Sequence, residues 1–159
     1  CTFDKEKHTN YEQANIIPLL VVAPGVSIPG SSTDQLAETV DIYPTITELA
    51  GLGSPIAPQP IDGLSMVSVL RNPATRVRDH AYHACPHGGY LGRAIRTQRY
   101  RMVEWKRWNN PADVLYELYD YELDPLETKN VATELPEVLA TMKDILARHP
   151  EAKQYPGRK

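Results

Sequence analysis

One apolar run near the start of the chain restricts the fold more than any other feature. Residues 16–22 read Ile-Ile-Pro-Leu-Leu-Val-Val, without the polar alternation of a strand that has one face in water. Such a run is typical of a central strand covered on both faces in an α/β sheet, with Pro18 near its start. The pattern therefore predicts an α/β fold in which other elements, within this chain or outside it, cover the strand.

A helix is predicted after this strand. Asp41 is placed to cap it, and Gly51 or Gly53 to end it. Its apolar side chains fall on one stripe at helical spacing; they are Ile42, Ile46, Leu49 and Ala50. A strand followed by a helix that packs on its sheet is the last βα unit of a larger layered domain. A further short helix is predicted over residues 65–70.

The second half of the chain has a different pattern. Residues 80–83, 91–97, 100–105 and 114–120 read as short strands, and the tight connection at residues 97–99 predicts an antiparallel hairpin between the middle two. A final helix is predicted with Thr133 as its N-cap and Pro136 in its first turn. We therefore expect a border between residues 75 and 76, followed by a small antiparallel sheet packed with a C-terminal helix.

Composition excludes two classes of partner. The net charge is −3, with 42% hydrophobic and 23% charged residues, which fits a soluble globular protein without a general nucleic-acid surface. No apolar run approaches the roughly 20 residues that span a bilayer. We expect neither nucleic acid nor a membrane as a partner. The chain has 2 cysteines, Cys1 and Cys85, which are too few for a disulfide framework.

Several phrases resemble the C-terminal part of sulfatases in order and spacing. They lie within residues 7–25, 40–51, 62–73, 89–101 and 118–130 and so cover almost the whole chain. Residues 7–11 (Lys-His-Thr-Asn-Tyr) and 89–92 (Gly-Tyr-Leu-Gly) are similar to the iduronate-2-sulfatase branch. The resemblance implies the C-terminal end of an α/β catalytic domain over residues 1–75. Residues 76–159 would then be the C-terminal subdomain.

The family's chemistry implies roles for two residues near the start. Sulfatases use a formylglycine made from Cys or Ser in a C-x-P-x-R-type motif, a divalent cation that is usually calcium, and cationic side chains that bind the sulfate. On the resemblance, Lys7 is the catalytic lysine that contacts the sulfate, and His8 is a substrate contact. Neither Cys1 nor Cys85 is followed by the motif's arginine, and the metal-binding carboxylates are missing. We expect calcium and formylglycine in the full-length family member, neither bound by this chain, and an inactive chain in isolation.

Two further residues are candidate substrate contacts. His87 lies in a region that approaches the active-site mouth in the family. Arg93 belongs to an arginine cluster, and guanidinium groups bind sulfate and carboxylate groups bidentately. The alternative for these arginines is an exposed strand face with structural ion pairs to Glu104 or Glu117. For the histidines, the alternative is a zinc site formed by His80, His83, Cys85 and His87.

The resemblance implies a sulfatase that acts on a sulfated carbohydrate. Its partners would be that substrate and the missing N-terminal catalytic part, and a homodimer through the exposed core strand is also compatible. By family, the compartment would be periplasmic, extracellular or lysosomal. Three alternatives stay open from the residues: a non-catalytic module that binds sulfated carbohydrate, part of a related phosphoester or phosphonate hydrolase, and a remnant that serves only assembly.

Overall fold

A computed structural model describes residues 10–53 and 60–151 of the chain. The helices are α1 (Glu12–Asn15), α2 (Ile42–Leu49), α3 (Val67–Arg71) and α4 (Pro136–Leu146), and the strands are β1 (Ala81–His87), β2 (Tyr90–Arg96), β3 (Tyr100–Arg107) and β4 (Asn110–Asp120). Residues 18–81 form one compact unit, and the residues up to 17 and from 82 onward form another. The predicted catalytic-domain and subdomain ranges, 1–75 and 76–159, refer to a larger protein and stay a prediction.

The strands form one sheet in the order β1-β2-β3-β4. Gly88 and Gly89 have φ angles of 56° and 86°, and two successive positive values suit the two-residue turn between β1 and β2. Strands β2 and β3 pair antiparallel, as do β3 and β4. The hairpin predicted at residues 97–99 is confirmed, with Thr97 N donating to the carbonyl oxygen of Tyr100 at 2.8 Å.

The main core lies between one face of this sheet and α4. Ile95, Met102 and Leu118 are fully buried, and Met142 and Leu146 of α4 pack against them. The predicted sheet and final helix are confirmed. The helix begins at Pro136, so Thr133 is not its N-cap. The reason is a preceding turn, in which the N–H groups of residues 134 and 135 both donate to the carbonyl oxygen of residue 131.

The predicted strand at residues 16–22 is wrong for this chain. The segment belongs to no strand among the described residues, and the side chains of Leu20 and Val22 are 90% and 88% exposed. A strand exists only where a neighbouring backbone takes up its hydrogen bonds. No strand of the described sheet pairs with this segment. The apolar pattern is therefore present without the partners that would make it a strand.

Helix α2 is confirmed with Asp41 at its N-cap position, but the Asp41 side chain makes no capping hydrogen bond to the helix and is bound elsewhere. A short 3-10 helix, Thr39–Asp41, precedes α2. Asp41 is fully buried, and its carboxylate accepts from the N–H groups of Glu38 (2.8 Å) and Leu64 (2.7 Å) and pairs with Arg78. Arg78 also contacts Glu38 at 2.7 Å. Asp41 thus joins three separate pieces of the 18–81 unit.

Two further expectations concern the short helix predicted near residue 65 and helices that could cross a membrane. The short helix predicted over residues 65–70 is present as α3, which begins two residues later and ends one residue later than predicted, within the usual uncertainty of helix ends. Among the helices that the structure describes, none is long and apolar enough to cross a membrane.

Candidate functional site

The segment that follows the two predicted active-site residues lies on the β-sheet. Lys7 and His8 themselves fall outside the described residues. From Asn10 onward the chain contacts β3 through Arg101. Side chains alternate along a strand, so Arg101 and its second neighbour Val103 point away from the face that packs on α4. The segment therefore covers the second face of the sheet.

Arg101 is the main link between this segment and the sheet. Its side chain is 3% exposed, and Nη1 donates to the carbonyl oxygen of Asn10 at 2.5 Å. Nη2 pairs with the carboxylate of Glu12. Nε donates to the hydroxyl of Tyr121 at 2.7 Å and lies 3.0 Å from Oε1 of Glu127. One guanidinium therefore binds α1, the residue after β4 and a following turn at once.

Glu127 also binds the N-terminal segment, through its side-chain carboxylate. Its Oε2 accepts from the backbone N–H of Glu12 at 2.8 Å, and its Oε1 accepts from the hydroxyl of Tyr121. Glu127 is also the non-glycine residue with a positive φ among the described residues, at 56°. This conformation costs about 1–2 kcal/mol for an L-residue. The bonds of its carboxylate offset that cost.

Arg96 adds a second cation to the group. Its Nε lies 3.2 Å from Oε1 of Glu12, and its guanidinium carbon stacks 3.9 Å from the ring centre of Tyr121. Burial raises the pKa of the Tyr121 hydroxyl, so it stays a neutral donor and acceptor at physiological pH. We call the five side chains of this group the Arg101 cluster; they are Glu12, Arg96, Arg101, Tyr121 and Glu127.

Asn10 packs tightly where the segment meets the sheet. It is fully buried, and neither Oδ1 nor Nδ2 has a hydrogen-bond partner among the described residues. It lies against Gly92, where a Cβ atom would stand 2.7 Å from Cε3 of Trp105 and closer still to Nδ2 of Asn10. A glycine is therefore required for this close approach. His87 is exposed at the end of β1 and meets Trp105 edge-on, with ring centres 6.2 Å apart.

Arg93 forms a structural ion pair with Glu104, as in the alternative to substrate binding, but it is buried and does not lie on the exposed face expected there. It is 3% exposed, and its Nη2 lies 2.6 Å from Glu104 and 3.1 Å from Glu151. Its Nη1 donates to the carbonyl oxygen of Pro150 at 3.3 Å. Arg93 alternates with Gly92 along β2, so it points to the opposite face from Asn10. Its assignment as a substrate contact stays a prediction, as does that of His87.

The described residues do not fit a metal centre. Within residues 10–53 and 60–151, no three His, Cys, Asp or Glu side chains come together in a way that could hold a metal ion. The zinc alternative has no support there, and calcium finds no ligand set in the same ranges. Cys85 is 8% exposed, and burial raises the pKa of its thiol. A buried protonated thiol has the character of a core residue and not of a reactive nucleophile.

An open cleft in the 18–81 unit was not predicted from the sequence. It has a volume of about 470 Å³ and is lined by Leu64 and residues 76–80. Arg78, its most buried cation, is already bound to Glu38 and Asp41. Arg78 is therefore committed to these two carboxylates, and the exposed Arg76 is the other arginine that lines the cleft.

Most of the chain is similar in sequence to known proteins. The model of the family "N-sulphoglucosamine sulphohydrolase, C-terminal" matches residues 2–152. The chain belongs to this family. It is 31% identical over 140 residues to arylsulfatase K of Mus musculus, covering 83% of this chain and 24% of the relative. It is 34% identical over 148 residues to a sulfatase of Formosa agariphila, covering 91% and 25%.

A solved structure shares the fold of this sulfatase C-terminal region. It is a protein in complex with its substrate D-glucosamine-2-N,6-O-disulfate, with a TM-score of 0.65, 24% identity, and coverage of 79% of this chain and 26% of that one. The chain spans about a quarter of the length of the curated relatives described above. The resemblance to sulfatases and the α/β fold class are thereby confirmed. Those relatives carry the names arylsulfatase K and sulfatase, and neither is named an iduronate-2-sulfatase.

Sequence reasoning missed the Arg101 cluster. Asn10 and Glu12 lie in a phrase that resembles the family, but their partners are far along the chain. Measured from Glu12, Arg101 is 89 positions away along the chain and Glu127 is 115 positions away. The arginines of β2 and β3 showed only as a local basic group, because the sequence does not indicate that Arg96 and Arg101 meet Glu12, which lies far away along the chain.

Proposed function

We propose that this chain is the C-terminal part of a sulfatase that hydrolyses sulfate esters of sulfated sugars. The family match over residues 2–152 is the observation that carries the proposal. The names of the mouse and Formosa relatives support the reaction class. The disulfated glucosamine bound by the structural neighbour supports a sulfated sugar as the substrate class. The phrases at residues 7–11 and 89–92 support an iduronate-2-sulfatase-like branch.

The proposed roles follow from the chemistry of sulfate. The Lys7 ammonium would contact a sulfate oxygen and assist the leaving oxygen, because a positive charge stabilises the negative charge that develops there. His8 and His87 would contact the substrate through imidazole nitrogens. Arg93 is proposed as a further contact, in competition with its ion pair to Glu104. Calcium and formylglycine would belong to the N-terminal catalytic part, where the cation and the oxygen nucleophile act. The chain alone would then be inactive.

The exposed apolar segment supports a partner in the catalytic part. Residues 19–22, with α2 and Met66, line an apolar cleft of about 240 Å³. Ile16, Ile17 and Leu20 are 67%, 61% and 90% exposed. Exposed apolar groups in such number mark a surface that another element covers. The missing catalytic part is the proposed cover, and a second copy of the chain is the competing one. A periplasmic, extracellular or lysosomal compartment is proposed from the family.

The test uses the longest natural protein that contains this sequence. Sulfate release is measured from a panel of sulfated mono- and disaccharides, with Lys7→Ala beside the matched control Lys5→Ala. We expect Lys7→Ala to lower kcat by about 10²–10³-fold, as the loss of one group that stabilises the transition state does. Lys5→Ala should keep the wild-type rate. A wild-type protein with verified formylglycine but no release, or a fully active Lys7→Ala variant, contradicts the proposal.

A further inference from the structure

The segment that follows Lys7 is bound at two of its residues, Asn10 and Glu12. Arg101 holds the backbone carbonyl of Asn10 at 2.5 Å, and it also holds the side chain of Glu12. Glu127 holds the backbone N–H of Glu12 at 2.8 Å. Both the backbone and a side chain of the segment are therefore bound, which restricts rotation of the segment as well as its displacement.

We propose that Arg101, acting with Glu12 and Glu127, is the positioning residue for Lys7. The inference rests on the proposed function, because Lys7 has its role only in a sulfatase. Lys7 precedes Asn10 by three residues, and three residues span at most about 11 Å. Lys7 must therefore lie within that distance of Asn10, which Arg101 holds in place. The Arg101 cluster itself touches no reacting atom and acts only through the short stretch of chain between Asn10 and Lys7.

The geometry requires an arginine at this position. The guanidinium presents donors in a rigid planar fork, and here they reach Asn10, Glu12 and Tyr121 in different directions. A lysine ammonium would keep the charge but could not bridge these groups at once. The charges also balance, since the cations Arg96 and Arg101 face the carboxylates of Glu12 and Glu127. This balance lets the cluster stay buried without an uncompensated charge.

Two features of the attached segment and its partners are unfavourable for the free energy of folding. This argues that the segment does more than pack against the sheet. Glu127 adopts a left-handed backbone conformation, and Asn10 is buried with both side-chain polar atoms unpartnered among the described residues. A segment that served only to cover the sheet could use an apolar residue in place of Asn10 at lower cost. Local strain of this kind collects where a protein holds a functional group in place.

The test compares Arg101→Lys and Glu12→Gln with the matched control Arg99→Lys in the longest natural protein that contains this sequence. Arg101→Lys keeps the buried positive charge, and Glu12→Gln keeps the side-chain shape on the segment itself, so one variant can fold where the other does not. Arg99 lies two residues from Arg101 and pairs with Asp120 and Glu122 outside the cluster. Hydrogen exchange of the backbone over residues 10–16 is measured together with kcat, KM and the thermal midpoint.

We expect residues 10–16 to lose protection against exchange in both cluster variants, while α4 keeps its protection. We expect kcat per folded molecule to fall by about 10²-fold, as for a catalytic group misplaced by about 1 Å, with little change in KM. Arg99→Lys should match the wild type in exchange and in kcat. Unchanged exchange at residues 10–16 overturns the attachment, and faster exchange with an unchanged kcat overturns the positioning role.

The same experiment separates this inference from the proposed function. If the wild-type protein releases no sulfate from any ester, the proposed function fails, and the positioning role fails with it. If the wild type is active and the cluster variants keep its kcat, only the positioning role fails. A cluster with a purely structural role would lower the thermal midpoint and leave kcat per folded molecule unchanged.

Discussion

Replacing Gly92 with alanine tests the contact between the N-terminal segment and the sheet. A Cβ at this position would lie 2.7 Å from Cε3 of Trp105, where ordinary van der Waals contact begins at 3.4 Å, and closer still to the amide of Asn10. Asn10 is fully buried, so its side chain has no open space into which to withdraw. The substitution must displace either the Trp105 ring or the segment that carries Asn10.

The expected cost is that of overpacking a well-packed site, about 1–3 kcal/mol. For a chain of this size, each kcal/mol lowers the thermal midpoint by about 2–4 °C. Urea and thermal unfolding followed by tryptophan fluorescence measure this directly, because Trp105 is one of the two groups in the clash. Adding Asn10→Ala to Gly92→Ala should recover part of the loss, since it removes the nearer clashing atom and an unpartnered buried amide.

Gly53→Ala is the matched control. An added Cβ at Gly53 meets nothing within 4 Å, so we expect a change within about 0.5 kcal/mol. If Gly92→Ala is as stable as Gly53→Ala, or if Asn10→Ala adds its own full effect to Gly92→Ala without recovery, the packing of the segment on β2 is refuted.

Three other outcomes follow from burial. Burial raises the pKa of Glu117, so the folded state holds its proton more tightly than the unfolded state, and stability falls as pH rises from the unfolded value of about 4.3 through the folded one. Glu117→Gln should therefore raise stability at pH 7 and flatten its dependence on pH in urea titrations, whereas Glu48→Gln, at an exposed site, should do neither. Ile95→Ala should cost about 2–5 kcal/mol in the same titrations, because Ile95 is fully buried, and Leu123→Ala should change stability by less than about 0.5 kcal/mol at 80% exposure. Cys85 should react with iodoacetamide far more slowly in the native chain than in urea, as read by mass spectrometry of its peptide; equal rates would contradict its burial.

The sequence predicted those elements whose pattern is local. The hairpin at residues 97–99 and helix α4 were found because a tight turn and a 3.6-residue apolar stripe are visible within a short stretch. An ion pair of the strand arginines with Glu104 or Glu117 was one of the alternatives left open, and Arg93 does pair with Glu104, which lies opposite it in that hairpin. Short sequence separation is what these successes share.

The predictions that failed concern residues whose partners lie far away in the sequence or outside the chain. The apolar run at residues 16–22 has the composition of a buried strand, but a strand needs a neighbour, and none is provided among the described residues. Asp41 read as a simple helix cap because its partners Leu64 and Arg78 lie 23 and 37 positions away. The Arg101 cluster was missed for the same reason.

The most direct test of the central claim is to determine the coding DNA upstream of the Cys1 codon in the source genome. We predict that the same reading frame encodes a C-x-P-x-R-type motif and a pair of metal-binding aspartates before this sequence. Lys7 would then complete a sulfatase active site whose nucleophile and metal ligands come from the upstream part. An upstream frame with neither feature would contradict the account and favour a module that binds sulfated carbohydrate without cleaving it.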